Sequence, residues 1–236
     1  MSYGQADVFL NLLKIFQTQG LLRDVMVVGS WAEYIYERAY LPGFRANLKT
    51  RDIDFLLPNI KRPNKYIDLP STLEKENYLF RQDVLNGLTI FFHPESRLEV
   101  EFLVREMGRG QIAPYDVQNL NIKAQGLRHM DILCDNPIIV DLNNIKVIVP
   151  LPEAYVVHKM VISEKRGNKK EKDLRSITNL LLSLDAQKSA PVFKRIYEQL
   201  SKKEKTMLNL TSNRAGIILF PEQFLDLKKL RNEMER

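Results

Sequence analysis

The sequence predicts an α+β fold: a mixed sheet with flanking helices over residues 1–150, then a helical part over residues 151–236. Three observations predict it. Short apolar runs rich in Val, Ile and Phe, bounded by turn residues, recur as far as Pro150. Beyond Pro150 the apolar residues adopt helical spacing. The positive charge is also unequally shared. Residues 151–236 hold 18 Lys/Arg against 11 Asp/Glu, a net of +7, whereas the first 150 hold 17 against 18.

Taken in order, "MSYGQADVFLNLLKIF" reads as an amphipathic helix rather than a leader, because no basic stretch precedes its apolar residues. "VMVV", residues 25–28, is a short β-branched strand ending at Gly29, and "SWAEYIYERAY" after it has helical composition. "RDIDFLLP" is a strand closed by Pro58. "NIKRPNKYIDLPST" is loop-rich. "LTIFFH" and "LEVEFLV" are antiparallel strands joined by "PESR", and "NPIIVDLNNIKVIVP" is two strands about an Asn-Asn turn. A sheet of about four to six strands is expected. Helices are expected in "PEAYVVHKMVISEK", with Pro152 in the first turn, and in "DLRSITNLLLSL", "APVFKRIYEQL" and "PEQFLDLKKLRNEMER".

Composition narrows the chemistry. At 44% hydrophobic, 236 residues bury a core without staples. The single cysteine, Cys134, excludes an internal disulfide framework and a thiolate metal site, and fits a reducing compartment. No apolar run approaches the roughly 20 residues of a membrane span, so a cytoplasmic protein without a membrane partner is expected. The three histidines have no zinc spacing. The basic C-terminal part attracts anions, RNA among them.

Asp52 and Asp54 sit two apart on one strand, so both carboxylates share a face while Ile53 and Phe55 turn to the apolar side. Such a pair repels itself unless a cation intervenes, and hard oxygen ligands suit Mg²⁺ or Mn²⁺. Glu99 and Glu101 share a face of another strand, and either completes a triad. Gly29 permits close backbone approach to a ligand, and Ser30 opens a helix whose exposed N–H groups bind phosphate. Ser30-Trp31-Ala32-Glu33 also reads as a capping box. Trp31 reads as core. Lys159 and Arg166 are seven apart, on one helical face two turns apart, where two cations can hold a triphosphate. Asp173 reads as structural, pairing with Arg166 or Arg175.

An apolar strand, Gly-Ser, a helix, a strand with Asp-x-Asp and a later strand with an acid follow in that order. "VVGS", "DIDF" and "VEFL" in that order resemble the nucleotidyltransferase-fold superfamily, the relatives of DNA polymerase β. The resemblance implies a metal-dependent transfer of an NMP from an NTP to an acceptor hydroxyl, with release of pyrophosphate. It assigns Asp52, Asp54 and Glu101 to the metal and to catalysis, with Glu99 in reserve. It assigns Gly29 and Ser30, with Lys159 and Arg166, to the nucleotide. The spacer before Asp52 is longer than in minimal transferases, and the third acid is Glu rather than the commoner Asp. "LKTRDIDF" and the run through Lys159, Arg166, Lys172 and Asp173 are similar to the abortive-infection type IV toxins, which implies a toxin–antitoxin role. The acceptor implied is a tRNA, a protein or a small molecule. The other function kept open is an inactive nucleotide- or RNA-binding module on the same fold.

Overall fold

The computed structural model describes residues 4–47, 50–84, 87–106, 113–167 and 170–223. The chain divides into two compact units. The first comprises Met1–Tyr40 and Ala46–Pro150, the second Leu41–Arg45 and Leu151–Arg236.

In the first unit, α1 (Gln5–Gln19) buries Val8, Phe9, Leu12, Leu13 and Phe16, one apolar stripe at helical period. It stops at Gly20, whose left-handed φ of 74° places its N–H on the carbonyls of Phe16 and Gln17. The chain continues through β1 (Met26–Val28), α2 (Gly29–Ala39), β2 (Asp52–Leu57), α3 (Leu69–Glu74), β3 (Leu79–Gln82), β4 (Thr89–His93) and β5 (Leu98–Arg105). Then come β6 (Tyr115–Val117), β7 (Ile122–Leu127), the short helix α4 (Asp131–Cys134), β8 (Pro137–Leu142) and β9 (Ile145–Pro150). Asn143 and Asn144, both with positive φ, make the expected turn between β8 and β9.

These strands form one mixed sheet in the order β3-β4-β5-β2-β1-β9-β8, with β7 joined to β5 and β6 to β7. Among the described residues the nine strands exceed the four to six expected. The extra ones are β3, exposed along its whole length, and the short pair β6 and β7. β5 is eight residues long; its first half pairs with β4 and its second with β7.

The two faces of β2 and β5 differ. Ile53, Phe55, Val100 and Phe102 are fully buried on one. There Phe16 of α1 meets Phe55 and Phe102 at ring separations of 4.8 and 6.1 Å. Each such side chain contributes roughly 1.5–3 kcal/mol through burial. The other face starts with carboxylates and ends in an apolar cluster of Met26, Val28, Leu56 and Leu103 with Leu133 of α4 and Met130 just before it.

In the second unit α5 (Pro152–Ser163), α6 (Lys170–Ser183), α7 (Ala186–Gln199) and α8 (Lys202–Ala215) follow one another. Every residue of α5 from Pro152 to Val161 is buried, so this helix is its core. Helix α8 was not expected, although Ser201 and Glu204 announce it with a capping box in which both reciprocal hydrogen bonds form. The helix expected from Pro221 onward lies, beyond Gln223, outside the described residues. The segment Leu41–Arg45 joins this unit early in the chain: Phe44 is buried, and Asn179 of α6 donates to the Arg45 carbonyl at 2.6 Å.

Candidate active site

Strand pairing assembles the acids. β2 and β5 run parallel, with Asp52 opposite Glu99 and Asp54 opposite Glu101. Paired residues point the same way, so all four carboxylates stand on one face in two rows. The flanking Ile53 and Val100 fix that face by burying themselves on the other.

The rows are not equivalent. Glu99 accepts a bond from the Arg81 guanidinium at 3.1 Å. Asp52 is exposed, and its Oδ2 lies 3.5 Å from the Thr50 hydroxyl. Asp54 and Glu101 are half-buried beside the apolar cluster. Burial, then the negative charges of Asp54, Asp52 and Glu99, push the Glu101 carboxyl up from 4.5 to about 7, against an opposing effect of Arg81.

The Gly-Ser turn meets these rows. Val28 pairs with Asp54 across β1 and β2. The next residue, Gly29, has a φ of +66°, and a Cβ there would stand 2.6 Å from Asp54 Oδ2. Only glycine fits against this carboxylate. Ser30 follows in the first turn of α2. The capping box expected at Ser30 does not form. The N-cap is Val28, no side chain caps the helix, and Ser30 lies inside it, where its hydroxyl is not at the cap position. Trp31 is fully buried, its ring 4.3 Å from that of Phe9, in keeping with a core residue.

Lys159 and Arg166, in the second unit, do not share a helical face. Helix α5 ends at Ser163, and Arg166 lies in the turn that follows. They nevertheless meet, because Asp173 joins both. Lys159 Nζ is 2.8 Å from Asp173 Oδ1, and Arg166 Nη1 is 3.3 Å from Oδ2. Lys159 also lies over the Tyr155 ring at 5.1 Å. The pairing of Asp173 with Arg166 was legible in the sequence, but its bond to Lys159, fourteen residues away, was not. Arg175 instead approaches Glu171. Arg81 was missed altogether, since the fully exposed β3 offers no alternating pattern to betray a strand.

The carboxylates are all hard oxygen donors, which fits Mg²⁺ or Mn²⁺. Among the described residues, no three His, Cys, Asp or Glu are drawn together as a ready metal cage. The acids feel one another's charge without closing on a common point.

The site thus joins a Gly-Ser turn to an Asp-x-Asp strand within a helix-flanked mixed sheet. The structure is similar to an antigenic nucleotidyltransferase-like protein from Paracoccidioides brasiliensis, with a TM-score of 0.52 at 13% identity over 87% of each chain. It is also similar to ANT(2″)-Ia in complex with adenylyl-2″-tobramycin, at a TM-score of 0.48 and 14% identity, over 84% of this chain and 99% of that one. ANT(2″)-Ia in solution gives 0.48 and 14% over 92% and 95%. No curated protein sequence matches the chain. The sequence profile of the nucleotidyltransferase family matches residues 9–201. The chain belongs to the nucleotidyltransferase family. Among the described residues no helix is long and apolar enough to cross a membrane.

Proposed function

We propose that the chain moves a nucleoside monophosphate from an NTP to an acceptor hydroxyl at the Asp52, Asp54 and Glu101 face, releasing pyrophosphate. The observation that carries this is the approach of Gly29 to Asp54, with Glu101 directly across the pair from Asp54. Gly29 and Ser30 bind phosphate oxygens through backbone N–H groups at the start of α2. Asp52 and Asp54 hold a divalent cation, Mg²⁺ or Mn²⁺, which when bound neutralises phosphate charge. Glu101, directly across the strand pair from Asp54, takes the proton of the attacking hydroxyl. The acceptor oxygen bonds to the α-phosphorus as the bond to the β-phosphate bridging oxygen breaks, and pyrophosphate leaves with that electron pair. Within the second unit, Lys159 and Arg166 are the cations offered to a nucleotide, and Asp173 orients both. The likeness of "LKTRDIDF" to abortive-infection toxins supports, as part of the same reading, a toxin–antitoxin role in the cytoplasm.

The test is incubation with each NTP, Mg²⁺ or Mn²⁺ and cell extract, followed by mass spectrometry for NMP adducts on tRNA, protein and small molecules. Wild type is expected to yield adducts and Asp54→Ala none. Equal yields from both end the reading.

A second reading is favoured by the absence of a closed acid cage among the described residues: a module that binds nucleotide or RNA without turnover. RNA held through the basic helices would lose affinity steeply with salt. Salt-independent binding, or none, removes it.

A further inference from the structure

The transfer reading gives the two sides of the acid rows different tasks. In an in-line displacement the entering oxygen and the leaving pyrophosphate lie on opposite sides of the phosphorus. Under that reading the leaving phosphates sit by Gly29, on the β1 side of Asp54. The acceptor then enters from the other side, across β5, β4 and β3.

The pairing registers trace what stands there. Arg81 pairs with Ile90, Ile90 with Glu101, and Glu101 with Asp54. In the neighbouring row Leu79 pairs with Phe92, Phe92 with Glu99, and Glu99 with Asp52. Leu79, Arg81 and Phe92 therefore share the face of the acids. Leu79 is 58% exposed and Phe92 half-buried, an unusual apolar strip beside four carboxylates. Arg81 reaches past β4 to Glu99, yet its side chain is 58% exposed, so much of its five-donor fork faces solvent.

We propose that this strip is the acceptor subsite, that the acceptor carries an oxyanion (phosphate or carboxylate) close to its hydroxyl, and that Arg81 holds that oxyanion. The acid rows repel an anion over the rest of this surface, and Arg81 stands at their border on the side from which the hydroxyl enters. A guanidinium fork matches a phosphate or carboxylate through paired hydrogen bonds, which a lysine reproduces only in part. Leu79 and Phe92 supply the apolar contact for the carbon skeleton between oxyanion and hydroxyl. The inference rests on the transfer reading and identifies its second substrate by chemistry.

The probes are glycerol, glycerol 3-phosphate and glycerate, each offered as acceptor to the full chain with α-labelled NTPs and Mn²⁺. NTP affinity is followed separately by calorimetry. Wild type is expected to label an anionic probe at least about tenfold more efficiently than glycerol, since a site built for a polar group rejects the analogue lacking it. Glycerol 3-phosphate against glycerate tells phosphate from carboxylate. Arg81→Ala loses the preference through a raised acceptor KM and binds NTP within twofold of wild type; Arg81→Lys recovers part of it. Glu99→Gln breaks the same ion pair but retains the guanidinium, and the preference survives. Glycerol used as well as the anions, a preference that persists in Arg81→Ala, or label passing to water or extract but to no anionic probe overturns the proposal and leaves the transfer reading standing. Wild type that neither binds NTP nor moves label overturns both.

Discussion

Glu101→Gln is expected to stabilise the metal-free protein at alkaline pH while removing turnover. The Glu101 carboxyl is held at about 7 rather than 4.5, first by burial and then by Asp54 and Asp52. A raised carboxyl pKa means that the folded chain binds this proton more tightly than the unfolded chain. The associated stability is complete below about pH 4.5 and is lost as pH rises through 7. In full, that shift corresponds to roughly 3 kcal/mol at 1.36 kcal/mol per pKa unit. The side chain is only half-buried, and solvent screening leaves on the order of 1–2 kcal/mol. For a chain of this length that corresponds to about 2–8 °C in Tm. The assay is thermal melting of wild type and variant in EDTA between pH 4.5 and 8.5, repeated with Mn²⁺. The variant should match wild type near pH 4.5 and melt higher at pH 8.5. Mn²⁺ should raise the Tm of wild type more than that of the variant, because a ligand stabilises the state that binds it. Parallel pH profiles, or a variant that melts lower at pH 8.5, refute the electrostatic account of this face.

Three further outcomes follow from the geometry. Gly29→Ala must place a Cβ 2.6 Å from Asp54 Oδ2 at a φ of +66°; it should lower stability by about 1–3 kcal/mol and weaken NTP binding, checked by denaturant unfolding and calorimetry. Asp173→Ala leaves Lys159 buried beside Arg166 without their shared carboxylate. It should cost about 3–5 kcal/mol in urea unfolding, and a loss below 1 kcal/mol would contradict the buried-pair account. Burial pushes the Cys134 thiol from 9.0 up to about 12, so its alkylation at pH 8 should run about a thousandfold slower in the folded chain than in denaturant; equal rates would contradict it.

Much of the layout of the candidate site was legible because it is set locally. Strand alternation placed Asp52 with Asp54 and Glu99 with Glu101. The Gly-Ser pair after an apolar run located the turn, and the Asn-Asn pair located the β8–β9 hairpin. The existence of α5 follows from its apolar spacing, although burial takes in every residue from Pro152 to Val161, Glu153 and Lys159 included. These features depend on neighbours a few positions apart, whose geometry the backbone period sets.

The choice between Glu99 and Glu101 was of another kind. Sequence spacing left both open, and the family resemblance preferred Glu101. The parallel register of β2 and β5, an association of segments more than 40 residues apart, places Glu101 opposite Asp54. The antiparallel pairing of β3, β4 and β5 brings Arg81 to Glu99 and so distinguishes the two glutamates. Ser30 failed as a cap because the turn needs Gly29 with positive φ against Asp54, which moves the cap position two residues earlier, to Val28. Lys159 met Asp173 because α5 and α6 pack and bury both groups, and a charge withdrawn from water takes the nearest opposite charge. The sequence by itself determined which residue types line each strand and helix. Only the tertiary structure decided which of them face one another, since register and packing are set by burial of the opposite, apolar face across segments distant in the chain.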